Sequence, residues 1–427
     1  MSRNHIVRPK RYKSQLIGLT LAVLMGLVYW SLNGLAPSAS LANAELFDAV
    51  WETINENFYD PNFNGVDWAA LGAQYRSQVR EASSPAEKAA LINEMLATLQ
   101  TSHTHLYTAD TPAYYQILGI FSRSSKLQAQ LQEIFPEGKI EYVGIGIVTH
   151  DIDGQIFVKA VFDGSPAAAA GLQAGDQILS VAGQPFQPIQ SFADQVDQPV
   201  TLQIQTSANP DSQQEITVTP KRFDGATMFL DAMTDSVQVV NKAGRQIGYI
   251  HIWSSAGEQY QQKFEEELFH GRLKDVDALV LDFREGWGSV PNTLPIFTAR
   301  GPSVTTITRS GQVYTSKSQW EKPVVMLVNE GSRSAKEILA YAFQHYDIGP
   351  VVGSPTAGAV VAGGPFIMPD NSVLYVAMAD VYVDETVRLE GKGVTPDVVV
   401  PSPIAYAQGA DPQKEQAIST ALEMLNS

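Results

Sequence analysis

The second half of the chain carries a set of short runs that are apolar almost throughout, and these constrain the fold more than any other feature. They are Ile247–Ile252, Ala278–Phe283, Val324–Val328 and Val351–Val352. A run without polar alternation reads as a strand covered on both faces, the situation of a parallel sheet between helical layers. Helical patterns over Gln259–Leu273 and Ser334–His345 fall between these runs, and a last one over Pro412–Leu425 is placed to cover the sheet. Strand and helix in alternation predict an α/β layer from about residue 224 to the end.

Upstream the texture differs. From Glu45 to Leu106 apolar residues recur at helical spacing, with Phe47, Val50, Trp51, Ile54 and Phe58 on one face and a second such pattern from Ala89 to Leu99. Residues 110–139 read as a linker with a helix around Leu127–Phe135, and from Tyr142 short β-rich runs take over. The division expected is 1–44 for a leader or anchor, 45–137 for a helical region and linker, 138–223 for a β-rich domain and 224–427 for the α/β core.

With 427 residues, 44 % hydrophobic and 17 % charged, the chain has material for two or three domains. Its formal net charge is -16, and Arg3, Arg8, Lys10, Arg11 and Lys13 all precede the first acidic residue, Glu45. The remainder is therefore more acidic still, which argues against nucleic acid or an anionic membrane surface as the main partner. There is no cysteine, so disulfides, thiolate metal sites and cysteine nucleophiles are excluded. No metal-ligand motif appears either, and no cofactor or metal is expected. The basic N-terminus, the uncharged stretch Leu16–Leu35 and Ala42-Asn43-Ala44 have the layout of a secretory signal cleaved after Ala44. The apolar stretch also has the length of about 20 residues that an uncleaved membrane anchor needs, so both forms of export stay open.

Serine is the remaining strong nucleophile. The run Val324–Val328 ends in Gly331-Ser332-Arg333-Ser334-Ala335, which opens a helix. At a strand-to-helix junction the helix N-terminal N–H groups and macrodipole can stabilise a developing oxyanion. By position alone, Ser332 or Ser334 could equally be a helix N-cap.

The stretch SPAAAAGLQAGDQILSVAGQ from Ser165 resembles a PDZ domain of the permuted kind found in bacterial proteases, over about 138–223. PDZ modules bind peptides by strand addition and capture a C-terminal carboxylate in a glycine-containing loop, which here would be Gly144, Ile145, Gly146 and Ile147. The stretch VMLVNEGSRSAKEILAYAFQ is similar to the nucleophile strand and helix of the C-terminal-processing (tail-specific) proteases, V-L-V-N-x-x-S-A-S-A-x-E-I. Further blocks follow in family order: Ile247–Ile250, Leu279–Arg284, Gly353–Gly358 and Gly391–Asp397. The resemblance runs over about 45–404 and implies a crotonase-like α/β protease core with Ser334 as nucleophile. The family's general-base lysine would fall at Ala359, so a serine–lysine dyad is not expected; Lys336 sits two residues from Ser334 on a helix and points elsewhere.

The tricorn-like branch of the family uses a histidine instead, in a context that Leu99-Gln100-Thr101-Ser102-His103-Thr104 matches. The resemblance thus implies His103 as base, Ser102 as an auxiliary hydrogen-bonding group and Glu390 as the carboxylate. The oxyanion hole departs from the family's D-x-R-x-N-G-G-G, since this chain has Asp282-Phe283-Arg284-Glu285-Gly286-Trp287-Gly288. The N–H groups of Gly288 and Ala335 are the expected donors. Trp287 could line the substrate cleft or only pack, and His251 and His345 read as structural histidines.

The implied activity is that of an exported serine endopeptidase acting on protein or peptide substrates whose C-terminal tails the PDZ domain holds. The rivals are a peptidase-inactive PDZ scaffold and a ligand-binding protein on the same core.

Overall fold

The computed structural model describes residues 39–426 apart from 289–292, 299–303, 308, 311 and 317–318. The stretch Leu16–Leu35, expected as a leader or anchor, lies outside the described residues, among which no helix is long and apolar enough to cross a membrane.

The chain opens with helices α1 (Ala39–Asn57), α2 (Trp68–Glu81) and α3 (Pro85–Ala97), followed by a short strand β1 (His105–Tyr107), α4 (Pro112–Ile120) and α5 (Gln128–Ile134). The helical expectation for Glu45–Leu106 thus fails at its end, where β1 pairs antiparallel with a strand nearly 270 residues later, His105 opposite Tyr375. Leu46, Phe47, Val50 and Ile54 of α1 are buried against Ile92, Met95 and Leu96 of α3. Ala42-Asn43-Ala44 lies inside α1, where the Asn43 amide donates to Ala82 O at 3.2 Å.

Strands β2 (Glu141–Gly144), β3 (Ile147–Ile152), β4 (Gln155–Val161), a turn of helix α6 (Pro166–Ala169), β5 (Gln177–Val181), β6 (Val200–Gln205), β7 (Gln213–Val218) and β8 (Lys221–Asp224) form the second unit. β3 to β7 make a five-stranded antiparallel sheet in sequence order, with β3 at one edge. β2 and β8 pair antiparallel, Glu141 opposite Asp224, so the unit enters and leaves on one two-stranded stem. Val158, Leu172, Ile178, Phe192, Leu202 and Ile204 fill its own small core.

The third unit contains α7 (Met228–Ser236), β9 (Gln238–Lys242), β10 (Arg245–His251), α8 (Glu258–Phe269), β11 (Ala278–Asp282), α9 (Leu294–Thr298), β12 (Val304–Ile307), β13 (Val313–Ser316), β14 (Val324–Val328), α10 (Ala335–His345), β15 (Val351–Gly353), β16 (Ala362–Ile367), β17 (Val373–Ala379), β18 (Val398–Val399) and α11 (Pro412–Asn426). Its main sheet has the order β18-β15-β14-β11-β10-β9, parallel except for the edge strand β9. Alternate residues serve opposite faces. Leu279, Leu281 and Met326 pack with Leu339 and Phe343 of α10 and Phe264 of α8, whereas Ala278, Val280, Val325 and Leu327 pack under Ala417, Ile418 and Ala421 of α11. A sheet covered on both faces is why these runs show no polar alternation.

The contacts that tie the units together include a shared sheet and a cluster of ion pairs. β1, β17 and β16 form a three-stranded sheet whose Leu374, Val376 and Ala377 are buried with the side chains of α1 and α3. Lys159 of β4 reaches Glu285 at 2.8 Å and Glu330 at 3.1 Å, two residues of the loops that follow β11 and β14.

Candidate active site

β14 ends at Val328, and the turn after it is held by its own side chains. Ser332 is fully buried; its hydroxyl accepts from Asn329 N at 3.0 Å and donates to Phe283 O at 3.0 Å. Ser332 is therefore a structural serine. Ser334 occupies the N-cap position of α10, yet its side chain makes no capping hydrogen bond, and its backbone has φ 58° and ψ -128°. A positive φ at a non-glycine residue costs about 1–3 kcal/mol and persists only where surroundings over-determine it. Here Ser334 N donates to Ala359 O at 2.8 Å while Ser334 O accepts from Glu337 N at 2.9 Å. The hydroxyl, freed from capping, faces a cavity of about 910 Å³ that His103 also lines, together with Trp287, Gly288 and Ala335.

His103 lies on the turn between α3 and β1. Its Nδ1 is 2.7 Å from Ser102 Oγ, which is 3.0 Å from Glu390 Oε2. A serine hydroxyl carries one proton, and a carboxylate can only accept. Ser102 therefore donates to Glu390 and accepts from His103, which fixes the imidazole as the Nδ1–H tautomer and leaves the Nε2 lone pair free. Glu390 is 5 % exposed and accepts further hydrogen bonds from Ser102 N at 3.0 Å and Val360 N at 2.6 Å. Burial pulls the His103 pKa down from 6.5 to about 4; Glu390 acts in the opposite sense and the Arg333 charge adds to the depression. The ring is thus neutral at physiological pH, the form a general base needs.

The backbone of Gly288 runs against the start of α10. A β-carbon at residue 288 would stand 2.7 Å from Arg333 O and 2.8 Å from Ser334 Cβ, closer than side chains approach, and 3.0 Å from Ala335 N. The structure therefore brings both expected oxyanion residues beside Ser334. Trp287 both lines the cavity and packs: its Nε1 donates to Gln116 Oε1 at 2.9 Å, and its ring lies 5.2 Å from the Arg333 guanidinium.

Lys336 points away from Ser334, as its helical spacing predicts. It is 1 % exposed and donates to Trp253 O at 3.2 Å and to Glu285 O, with burial lowering its pKa to about 7. Ala359 is buried and no amine stands there. His251 is buried too, stacked on Trp253 with ring centroids 3.8 Å apart.

Sequence reasoning missed Glu337. Its fully buried carboxylate accepts from Thr356 Oγ1 at 2.6 Å, Gly358 N at 2.7 Å and Ala359 N at 2.7 Å. It ties the first turn of α10 to the segment that meets Ser334 N. The available signal was an acid in that first turn together with the Gly353–Gly358 block, but neither names the partner.

In the β-rich unit, Gly144 closes β2 and Ile147 opens β3, so the expected carboxylate loop joins the stem to the sheet edge. Gly146 has φ +82°, and a β-carbon there would lie 2.4 Å from Ser165 Cβ, so only glycine fits. The carbonyls of Ile145 and Gly146 accept from Ala167 N and Phe162 N at 2.9 Å each, and β3 presents a sheet edge for strand addition.

Three stretches match known families: residues 246–400 match peptidase family S41, 41–97 the tricorn protease C1 domain and 157–206 the PDZ domain. The carboxyl-terminal-processing protease of Synechocystis sp. (strain PCC 6803) is 27 % identical over 95 % of this chain and 92 % of its own length. The tricorn protease homolog 2 of Streptomyces coelicolor is 28 % identical over 92 % of this chain, which spans 33 % of that relative. Among solved structures, that of the tricorn protease aligns with a TM-score of 0.54 and 18 % identity over 91 % of this chain and 37 % of that one, a likeness of fold.

Proposed function

From a serine peptidase that carries a family S41 core together with tricorn C1 and PDZ domains, we propose an exported endopeptidase that cleaves protein substrates near their C-terminal tails by a Ser334–His103–Ser102–Glu390 relay. Ser334 Oγ attacks the scissile carbonyl and passes its proton to His103 Nε2. The imidazolium that forms keeps its Nδ1–H on Ser102 Oγ, and Glu390 stabilises the charge through that hydroxyl rather than by direct contact. The N–H groups of Gly288 and Ala335 receive the oxyanion. His103 then protonates the leaving amine, and water, deprotonated by the same ring, releases the acyl group. The substrate tail adds as a strand beside β3, its terminal carboxylate in the loop Gly144, Ile145, Gly146 and Ile147.

The observation that carries this reading is the hydrogen-bond chain from buried Glu390 through Ser102 to His103, ending in the cavity that Ser334 faces. Export rests on the sequence layout of residues 1–44 alone. The test is turnover of an unstructured protein and of a tailed peptide by the full-length chain beside Ser334→Ala and His103→Ala. Hydrolysis by the parent that disappears in both variants is the expected result. A folded parent that binds tails without cleaving them would replace the peptidase reading by the scaffold.

A further inference from the structure

Arg333 immediately precedes Ser334, lines the same cavity and, apart from its contact with the Trp287 ring, has no acidic partner among the described residues. Its Nε is buried with no hydrogen-bond partner, and among the described residues its guanidinium has no ion pair. Among the described residues the other half-buried arginines are engaged, Arg284 with Asp282 and Asp411 at 2.7 Å and Arg388 with Asp380 at 2.9 Å, and even the exposed Arg272 pairs with Glu267 at 2.8 Å. A chain with 45 acidic residues against 29 basic ones does not lack acids to pair with. Yet among the described residues not one Asp or Glu lines the cavity, whose charged groups are Arg333 and the exposed Arg123. Much of the remaining wall is apolar, with Leu230, Ile338 and Val361 among it, beside the uncharged polar Thr227 and Gln259. A buried donor left unmade carries a desolvation penalty that a ligand removes when it supplies the acceptor.

We propose that Arg333 is a specificity residue that receives a substrate carboxylate next to the scissile bond, within an otherwise apolar substrate segment. The inference rests on the peptidase reading above. The Arg333 guanidinium lies over the Trp287 ring, 5.2 Å from its centroid, a contact that restrains the side chain, and a planar guanidinium binds a carboxylate through two parallel N–H···O bonds. Its charge is also felt at His103 and Tyr107, which puts it on the His103 side of the cavity. The carboxylate has two sources: an acidic side chain close to the cleaved bond, or the free C-terminus of a substrate cut within a residue or two of its end. Both present the same planar acceptor.

The experiment uses the full-length chain and quenched peptides of one apolar sequence, varied in two arms. In one arm Glu replaces Gln at each of three positions on either side of the cleaved bond; in the other a free C-terminus replaces a C-terminal amide. The expected result is a kcat/KM advantage on the order of 10- to 100-fold for the carboxylate member at one position or at the terminus, the worth of a charge-assisted hydrogen bond. Arg333→Gln should bring that ratio to about one and Arg333→Lys should keep part of it, since lysine retains the charge without the fork. The arm whose ratio collapses identifies the source. Because each ratio is taken within one enzyme, any change Arg333 makes to His103 cancels. Neutral peptides cut by the parent, with no ratio above about threefold in either arm or with the ratio intact in Arg333→Gln, would overturn the assignment and leave the peptidase standing. A folded parent that cuts no peptide at all would remove both.

Discussion

Replacing Glu390 by Gln should lower kcat on the order of 100-fold. Glu390 reaches His103 through two hydrogen bonds of 2.7 Å and 3.0 Å laid end to end, so its charge sits about 5–6 Å from the imidazole. At an effective dielectric of about 20, a unit charge at that distance stabilises the imidazolium by about 3 kcal/mol, and each 1.36 kcal/mol is a factor of ten in rate. The loss falls on kcat because the positive ring exists only after proton transfer. The substitution also turns an amide NH2 toward one of the donors Ser102 N, Ser102 Oγ or Val360 N, which costs about 1–3 kcal/mol of stability, so turnover is measured well below the melting point of each variant. Ser102→Ala provides the second arm, because it removes the link and leaves Val360 N on Glu390. It should lower kcat about 10- to 100-fold with a smaller change in melting temperature. Turnover by Ser102→Ala within about threefold of the parent, beside a slow Glu390→Gln, would refute a relay through the hydroxyl. Parent-like turnover by both would refute the role of the carboxylate.

With the His103 pKa held at about 4, below its ordinary 6.5, kcat/KM should rise tenfold per pH unit below about 4 and level off above pH 5, and Arg333→Gln should move that limb upward. The same depression means that the unfolded imidazole binds its proton first, so the stability His103 contributes is present above pH 6.5 and is lost as pH falls toward 4, which melting curves across that window check. Glu337→Ala leaves Thr356 Oγ1, Gly358 N and Ala359 N without their acceptor in a buried site and should destabilise by about 2–4 kcal/mol in denaturant melts, with activity falling as the Ser334 backbone loosens. Lys159→Met strands Glu285 and Glu330 without their cation, and should lower stability by about 1–3 kcal/mol and slow turnover on peptides too short to occupy the PDZ domain.

What could be read in advance follows the physics of each element. The strands of the main sheet are buried on both faces, so their composition alone betrays them. The small sheet of β1, β16 and β17 gives no such signal. β1 has three residues, β16 reads Ala362-Gly363-Gly364-Pro365-Phe366-Ile367, and glycine and proline in a short run argue against a strand until the partner is known. That sheet nevertheless fixes where His103 stands. Ser334 and Ser332 could not be separated by position, since both lie at the junction; the family resemblance picked out Ser334, and the buried hydrogen bonds of Ser332 give the physical reason Ser332 is structural. Glu390 lies 288 residues from Ser102, and no periodicity links them. Arg333 was in plain view as a letter, but its meaning depends on an absence of carboxylates around it that only three dimensions express.

The segment 356–360 links the helix that begins at Ser334 to the carboxylate that holds Ser102 and, through it, His103. Ala359 N donates to Glu337 at 2.7 Å and the next amide, Val360 N, donates to Glu390 at 2.6 Å, so two buried carboxylates grip consecutive peptide units. Between them Ala359 O accepts from Ser334 N, which pins the Ser334 backbone to the same short stretch. One of those carboxylates belongs to the helix that carries Ser334 and the other orients Ser102 and hence His103. Three hydrogen bonds on two neighbouring residues thus bear on the relative position of Ser334 and His103, the proposed nucleophile and base. A lysine at residue 359 would have to extend its amine from a site already closed around a methyl group. An amine introduced at 359 would therefore disturb the pin on Ser334 N.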